Sequence, residues 1–198
     1  MPVGFRLLYR LGITPWEHET PTQVKEAAVS AAASPGRALD VGCGTGRDAV
    51  FLAENGWTVT GVDAVPRALD TARRRSQAAN VEVRWVAGDV THMQQLDIGD
   101  GHDLVLDLGC FHGLSDHGRV LCANGITSVA APGALLLMMA FQPGRRGPLP
   151  RGISEQELAN HFGSAWTLQS ATVDEGMKLP GPLRNAKPTW YTLRKQAA

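Results

Sequence analysis

The sequence has few cysteines, no long apolar run and no excess of either charge. Three cysteines in 198 residues, with no C-x-x-C spacing, argue against a disulfide framework or a structural zinc site. The longest apolar segment, residues 134–141, is far shorter than the ~20 residues needed to span a bilayer. Lysine plus arginine equals aspartate plus glutamate at 19 each, so we expect no general attraction to nucleic acid or to a membrane surface.

The first residues of the chain show no long apolar stretch followed by a small-residue cleavage site. Together with the sparse cysteines, this predicts a reducing, cytoplasmic location. Hydrophobic residues make up 43% of the chain, which suits a protein that buries a core. We expect one domain over residues 1–198, with an N-terminal helical cap and lid at 1–35 and an α/β core at 36–198.

Short apolar runs alternate with helix-length segments from Arg37 onwards, a pattern typical of a parallel sheet covered on both faces. The expected strands cover residues 37–41, 58–62, 81–86, 103–107 and 134–141, followed by a final hairpin pair at 166–173 and 189–195. The expected helices cover residues 5–11, 22–33, 48–55, 66–76 and, after a capping-box serine, 154–162. Two long loops, 142–151 and 174–188, remain. The fold class is therefore α/β.

Alternating glycines follow the first expected strand, in the segment Asp40-Val-Gly-Cys-Gly-Thr-Gly46. Because Gly42, Gly44 and Gly46 carry no side chain, backbone N–H groups and the next helix N-terminus can approach a ligand there. The spacing differs from the G-x-G-x-x-G/A dinucleotide fingerprint, since Arg47 stands where its third small residue would fall. The loop therefore favours a ligand other than a pyrophosphate, and an ordinary glycine-rich turn is the alternative.

Acidic residues end the next two expected strands. Asp63 comes about 20 residues after the glycines, where a carboxylate can accept both hydroxyls of a ribose. Asp89 can accept from an exocyclic amine of adenine while Val90 packs on the ring. Either aspartate alone would be read as a cap or a turn residue, but their order behind the glycine loop indicates a nucleoside site.

These motifs resemble those of the class I S-adenosylmethionine-dependent methyltransferases. The resemblance covers residues 16–195 and implies a Rossmann-like seven-stranded methyltransferase sheet of order 3-2-1-4-5-7-6 with its last strand antiparallel, residues 36–198 forming the catalytic core. It also implies S-adenosyl-L-methionine as cofactor. The residues that would bind it are Trp16, Asp40, Gly42, Cys43, Gly44, Gly46, Asp63, Ala64, Gly88, Asp89, Val90 and Leu108.

Within that class, the chain is most similar to the small-molecule thiopurine, halide and thiol methyltransferases and to tellurite-resistance-like relatives. The loop around Trp16 resembles a segment that lies over the cofactor in those enzymes, and residues 108–114 resemble their segment after the fourth strand. The tryptophan could stack near the sulfonium or pin the N-terminal helix. Glu19 stands where those enzymes have a glycine.

Methyl transfer requires chiefly that the acceptor nucleophile be held in line with the methyl group, and it requires few protein groups that react covalently. His112, shortly after the fourth strand, is our first choice for a base or for a hydrogen bond to the substrate, and a backbone contact is the alternative. Asp107 could brace the site or point at the cofactor, and His18 could enter the pocket if the N-terminal loop closes as a lid. Asp116, His117 and Arg119 are weaker candidates that we do not expect to be catalytic, since Asp116 could equally cap the following helix and His117 could equally face solvent.

No metal site is predicted. Cys43 and Cys110 end strands that should be neighbours, but no third ligand is evident and buried free cysteines are common. Basic residues in the two long loops could meet an anionic substrate, although solvated loop charge is the more frequent explanation; these residues are Arg145, Arg146, Arg151, Arg184 and Lys187.

The predicted function is methyl transfer from S-adenosylmethionine to a small molecule, with a thiol sulfur slightly preferred over oxygen or nitrogen as the acceptor. The alternatives are a nicotinamide-dependent oxidoreductase and a non-catalytic S-adenosylmethionine-binding regulator. The expected partner is a small-molecule methyl acceptor, with neither nucleic acid nor membrane, and the chain is expected to be a monomer or homodimer.

Overall fold

A computed structural model describes residues 20–31, 34–146, 149–177, 179 and 183–197. The expected helix at 5–11, the loop residues Trp16 and His18, and most of the N-terminal cap lie outside these residues. None of the helices in the described ranges has the length and apolar content needed to cross a membrane.

The described chain is built around one seven-stranded sheet of order β3-β2-β1-β4-β5-β7-β6, as the resemblance predicted. The first five strands pair in parallel, whereas β7 lies antiparallel between β5 and β6. The strands are β1 (Arg37–Val41), β2 (Thr58–Asp63), β3 (Val83–Ala87), β4 (His102–Leu108), β5 (Ala130–Phe141), β6 (Trp166–Val173) and β7 (Pro188–Lys195).

Five α-helices connect or cover these strands in the described residues. They are α1 (Thr22–Ser30), α2 (Arg47–Glu54), α3 (Pro66–Ala78), α4 (Asp116–Val129) and α5 (Glu155–Phe162). Helix α3 begins with a proline, whose missing N–H costs nothing at this position because the first N–H groups of a helix have no partner within it. Helix α5 begins with a capping box formed by Ser154 and Glu157. Gly56 follows α2 with φ of 87°, a value that suits glycine after a helix.

Strand side chains alternate between two buried layers, because successive residues of a strand point to opposite faces. Leu104 and Leu106 of β4 pack with α1 and α2 on one face. Val105, between them, belongs to the core that contains Ile126 of α4 and Leu158 of α5 on the other face. Helices on both faces keep the parallel strands away from water, so the two ends of the sheet remain for binding.

The structure corrects several expected boundaries. Strand β5 begins at Ala130 instead of residue 134 and includes Pro132 and Gly133, with a register shift against β4 between His102 and Leu104. Strand β3 begins at Val83 instead of residue 81, and α1 ends at Ser30. Helix α4 is capped by Ser115, whose Oγ accepts from the Gly118 N–H, and not by Asp116.

Candidate cofactor and acceptor site

The glycine loop leaves β1 and is held against β2 by backbone hydrogen bonds. The N–H groups of Gly42 and Cys43 both donate to the Val62 carbonyl, at 2.8 and 3.0 Å. Gly42, Gly44 and Gly46 have φ of 71°, 53° and 74°, in the left-handed region that favours glycine. The loop therefore turns into α2 with a backbone that other residues adopt only at a cost.

Two of these glycines are also required by their protein neighbours. A Cβ at Gly42 would lie 2.6 Å from the Cys110 Cβ, and a Cβ at Gly46 would lie 2.3 Å from the Trp85 ring. Sequence reasoning missed Trp85, because nothing in β3 alone shows that its ring reaches the loop. The glycines therefore let two side chains pack against the loop, and their contact with a cofactor stays a prediction.

Asp63 connects the end of β2 to the glycine loop. One oxygen accepts from the Gly44 N–H at 2.9 Å and the other from the Val65 N–H at 2.8 Å. The side chain is buried, and burial raises its pKa above the ordinary value. Each carboxylate oxygen has a second lone pair, so Asp63 can hold the loop and still accept ribose hydroxyls.

Four carboxyl groups meet at this end of the sheet: Asp40, Asp48, Asp63 and Asp107. Burial raises the pKa of Asp40 well above its ordinary value, and the charges of the other three raise it further. Asp48, in the first turn of α2, has a buried Oδ1 without a hydrogen-bond partner among the described residues. Negative potential of this kind suits a cationic ligand and opposes a pyrophosphate.

The exit of β3 carries the predicted adenine-binding residues. The Gly88 N–H donates to the Asp63 carbonyl at 3.0 Å, which joins this exit to that of β2. Partial burial acts to raise the pKa of Asp89, but the carboxylate accepts from the N–H and the hydroxyl of Thr91, which contribute to a pKa below the ordinary value. Val90 is buried. The exits of β1, β2 and β3 thus bring these predicted residues to one edge. Ala64, directly after β2, and Leu108, at the end of β4, are half-buried there.

The two cysteines at this edge face different neighbours. The Cys43 sulfur lies 3.1 Å from the Cβ position of Gly61, whereas the Cys110 sulfur lies 2.8 Å from that of Gly42. Both thiols are free, and burial raises the pKa of each well above the ordinary value. They are therefore packing groups of low reactivity. The described residues contain no group of three or more potential metal ligands.

Asp107 braces the turn that follows β4. Its Oδ1 accepts from the N–H groups of Cys110 and Phe111, and its Oδ2 also accepts from Phe111, all at 3.0 Å. Burial raises the pKa of this carboxyl to about 7. The contacts fix the short 3-10 turn, Phe111–Gly113, that carries His112.

His112 is buried, and its ring orientation is fixed by a backbone group. The Phe141 N–H donates to Nδ1 at 2.8 Å, and the rings of His112 and Phe141 lie 4.7 Å apart. Burial lowers the pKa of His112 to about 3, and the charges of Arg119 and Arg146 act in the same direction. The imidazole is therefore neutral near pH 7.

Arg119, one of the weaker site candidates from the sequence, lies in the first turn of α4 and is fully buried. Its Nη2 donates to the His112 carbonyl at 2.7 Å and to the Gly152 carbonyl at 2.8 Å. Its Nε and Nη1 have no hydrogen-bond partner among the described residues. An arginine at the fourth position of a helix gives no sequence signal of burial, since most arginines are exposed.

The basic residues of the two long loops contact different parts of the structure. Arg146 donates to the Gln142 and Pro150 carbonyls and lies 5.8 Å from the Phe141 ring, beside His112. Arg151 instead forms ion pairs with Asp116 and Glu157. His117 is exposed. Of the five basic residues named from the sequence, Arg146 is the one whose contacts place it next to the His112 ring.

Comparisons with known proteins agree with this geometry. Residues 38–133 match the methyltransferase domain family. The described sheet has the order and direction of the class I S-adenosylmethionine-dependent methyltransferase fold. These findings show the fold of the class I S-adenosylmethionine-dependent methyltransferases and agree with S-adenosylmethionine as the cofactor.

Three similar proteins illustrate the match. The chain is 34% identical over 139 residues to a 2-heptyl-1-hydroxyquinolin-4(1H)-one methyltransferase of Mycobacteroides abscessus, covering 67% of this chain and 60% of that protein. A 1,6-didemethyltoxoflavin-N1-methyltransferase from Burkholderia thailandensis, solved with S-adenosylhomocysteine, is 25% identical with a TM-score of 0.73, covering 98% of this chain and 86% of that one. TehB from Haemophilus influenzae is 19% identical with a TM-score of 0.75, covering 89% and 63%, and supports the fold.

The chain spans less than two thirds of the length of the curated relatives that it matches: 60% of the first, 39% of rat glycine N-methyltransferase and 54% of a fission-yeast methyltransferase. The substrates of those proteins can therefore support a proposal about this chain but do not establish its substrate.

Proposed function

We propose that this protein transfers a methyl group from S-adenosylmethionine to a small molecule bound beside His112, and that residues 36–198 form its catalytic core. The observation that carries the proposal is the carboxylate cluster around the glycine loop. A sulfonium nucleoside with an ammonium group is cationic, whereas a dinucleotide carries negative phosphates. Buried carboxyl groups with raised pKa values gain stabilisation from the first ligand and would repel the second.

The described residues fit such a cofactor. Asp63 would accept from ribose hydroxyls while it holds the Gly44 N–H. Asp89 would accept from the adenine amine, and Val90 would pack on the ring. Asp40 and the unpartnered oxygen of Asp48 would face positive charge. When bound, S-adenosylmethionine supplies a methyl group on a positively charged sulfur, which a nucleophile can displace.

The acceptor class is proposed from the relatives and from the site together. Two similar proteins are named for methylation of a hydroxyquinolinone and of 1,6-didemethyltoxoflavin at N1, and both compounds are heteroaromatic. The Phe141 ring beside His112 offers an apolar surface that a flat acceptor would contact. We therefore propose a small heteroaromatic acceptor. Transfer to a thiol, and membership of the thiopurine-like or tellurite-resistance-like branch, remain proposals that an acceptor panel tests.

Calorimetry with S-adenosylmethionine, S-adenosylhomocysteine and NAD tests the cofactor. We expect S-adenosylmethionine and S-adenosylhomocysteine to bind and NAD not to bind. Asp63→Asn should weaken binding of S-adenosylmethionine by about tenfold to a hundredfold, because one of the two accepting oxygens becomes an NH₂ group that cannot accept from an N–H or a hydroxyl and the negative charge is lost. Asp70→Asn is the matched control, since Asp70 is exposed on α3 and pairs with Arg73, and it should leave affinity unchanged.

Turnover is tested with methyl-labelled S-adenosylmethionine and a panel of hydroxylated heteroaromatics, thiols and amines. Methylation of at least one acceptor supports the proposal. Binding of NAD in place of S-adenosylmethionine would establish the oxidoreductase alternative. Tight binding of S-adenosylmethionine with no methylation across the panel would establish the regulator.

A further inference from the structure

We propose that the methyl acceptor binds as an anion whose nucleophilic atom accepts a hydrogen bond from Nε2–H of His112, so that acidic hydroxyl or thiol compounds are the substrates and no protein base is used. This inference rests on the proposed function and names its substrate class. It assigns His112 the role of donor, whereas a histidine beside a reacting hydroxyl is commonly assigned the role of base.

The tautomer of His112 is the first step. A nitrogen that accepts a hydrogen bond must carry a lone pair, and Nδ1 accepts from the Phe141 N–H at 2.8 Å. In a neutral imidazole the proton then resides on Nε2. Phe141 ends β5 and pairs with β7, so its backbone N–H is fixed by the sheet. A ring held in this way can donate from Nε2 and has no free lone pair with which to accept a proton.

The direction of Nε2 is the second step. This nitrogen lies 3.8 Å from the Cβ position of Gly109, the first residue after β4, whose φ is 94°. Because Gly109 has no side chain, no Cβ fills the space 3.8 Å from Nε2. The carboxyl end of the sheet, where Gly109 lies, also carries the glycine loop after β1, the strand that pairs with β4. An acceptor atom in that space would lie between the donor nitrogen and the cofactor site.

The charges around His112 are the third step. Arg119 reaches it from α4 and Arg146 from the segment after β5, and both lower its pKa. Both carboxylate oxygens of Asp107, on β4, accept hydrogen bonds from N–H groups of the turn. The nearby carboxylates of α4 and α5, Asp116 and Glu157, are paired with Arg151. The arginines near the ring are thus hydrogen-bond donors, and the carboxylates near it already accept from other protein groups. This arrangement favours an anion as the ligand beside Nε2.

The chemistry balances without a base. The acceptor loses its proton to solvent before or during binding. Its lone pair then forms the new bond to the methyl carbon as the bond from that carbon to the donor sulfur breaks, and the electron pair of that bond stays on sulfur. No proton remains to be removed, so the Nε2–H hydrogen bond serves to hold and desolvate the anion.

Two substitutions distinguish a donor from a base. In His112→Gln the amide oxygen can accept from the Phe141 N–H and the NH₂ can donate, but the side chain cannot take up a proton. We expect kcat/KM within about tenfold of the wild type for His112→Gln and a loss of about tenfold to a hundredfold for His112→Phe. His117→Gln, on the exposed side of α4, is the control and should match the wild type.

The ionisation of the bound acceptor is measured directly with 4-nitrophenol, whose phenolate absorbs visible light. We expect its phenolate band to grow when the wild-type protein is added below the pKa of the free phenol in the presence of S-adenosylhomocysteine, and to grow less with His112→Phe. Over a series of substituted phenols and thiophenols, kcat/KM should rise with pH through the pKa of each acceptor.

The outcomes separate the two proposals. Wild-type turnover that is lost in His112→Gln to the same extent as in His112→Phe, or bound 4-nitrophenol that stays protonated, overturns the anion inference and leaves methyl transfer intact. A wild-type protein that neither methylates nor ionises any acceptor overturns both.

Discussion

At the scale of single residues, the glycine loop is shaped by side chains packed against it as much as by the ligand it is proposed to hold. Trp85 fills the space where Gly46 would carry a Cβ, and its Nε1–H donates to the Ser76 hydroxyl at 3.3 Å. The ring thereby ties β3 and α3 to the start of α2. A substitution in the loop acts first on this packing.

Gly46→Ala tests that packing. We expect a loss of about 2 to 4 kcal/mol in the free energy of unfolding, because the methyl group meets the Trp85 ring and Ala72 and the left-handed φ opposes alanine. Gly133→Ala is the matched control: its φ is also 74° and nothing lies within 4 Å of the added Cβ, so it should lose about 1 to 2 kcal/mol. Urea unfolding measures both, and equal losses would contradict the packing argument.

At the scale of elements, Arg119 joins three parts of the acceptor side. From α4 it bonds the carbonyl of the turn that carries His112 and the Gly152 carbonyl before α5. Gly152 itself has φ of 80°, and a Cβ there would lie 2.3 Å from the Gln142 carbonyl oxygen. Gly152, shortly before α5, is therefore held closely against the end of β5.

Arg119→Met tests this junction while keeping the apolar stem. Two buried carbonyls would lose their donor, so we expect a loss of about 2 to 4 kcal/mol in the free energy of unfolding. Arg151→Met is the comparison: its side chain is 48% exposed, and loss of its surface ion pairs should cost less than about 1 kcal/mol. Denaturant titration of both variants gives the values. Similar losses of unfolding free energy in the two variants would show that the buried hydrogen bonds of Arg119 stabilise the fold no more than the surface ion pairs of Arg151 do.

At the scale of the whole molecule, the site lies where the strand order reverses. Strand β1 pairs with β2 on one side and with β4 on the other, and ligands bind at such a switch point outside the carboxyl ends of the strands. Titrating groups from all these ends meet there. The pKa of Asp107 is raised and that of His112 is lowered, so their effects on the pH dependence of stability oppose each other.

The His112 contribution is isolated by comparing wild type with His112→Gln. A histidine whose folded pKa is about 3 stays neutral in the fold, whereas the unfolded chain takes up a proton below about pH 6.5. The wild type should therefore lose stability relative to His112→Gln as pH falls below about 6.5, by up to about 1.4 kcal/mol per pH unit. Unfolding free energies from pH 7.5 to 4.5 measure it. A constant difference would mean that His112 titrates normally in the fold.

The sequence by itself determined the order of elements and the residues at the strand exits. Periodicity shows which segments bury one face, and glycine and proline show where chains turn, because both are local properties. Gly42, Asp63 and Asp89 could be recognised since their spacing along the chain already reflects successive strand ends. The sheet order came from resemblance to a family, and the structure has the same order.

Only the tertiary structure decided what those residues touch. The tautomer of His112 depends on the N–H of Phe141, 29 residues away, and the burial of Arg119 depends on Gly152, 33 residues away. The raised pKa of Asp40 comes first from its burial and then from carboxyl groups of α2 and of two other strands. Hydrogen bonds and charges act over a few ångströms in space, so their partners are set by how distant segments pack and carry no signature in local sequence.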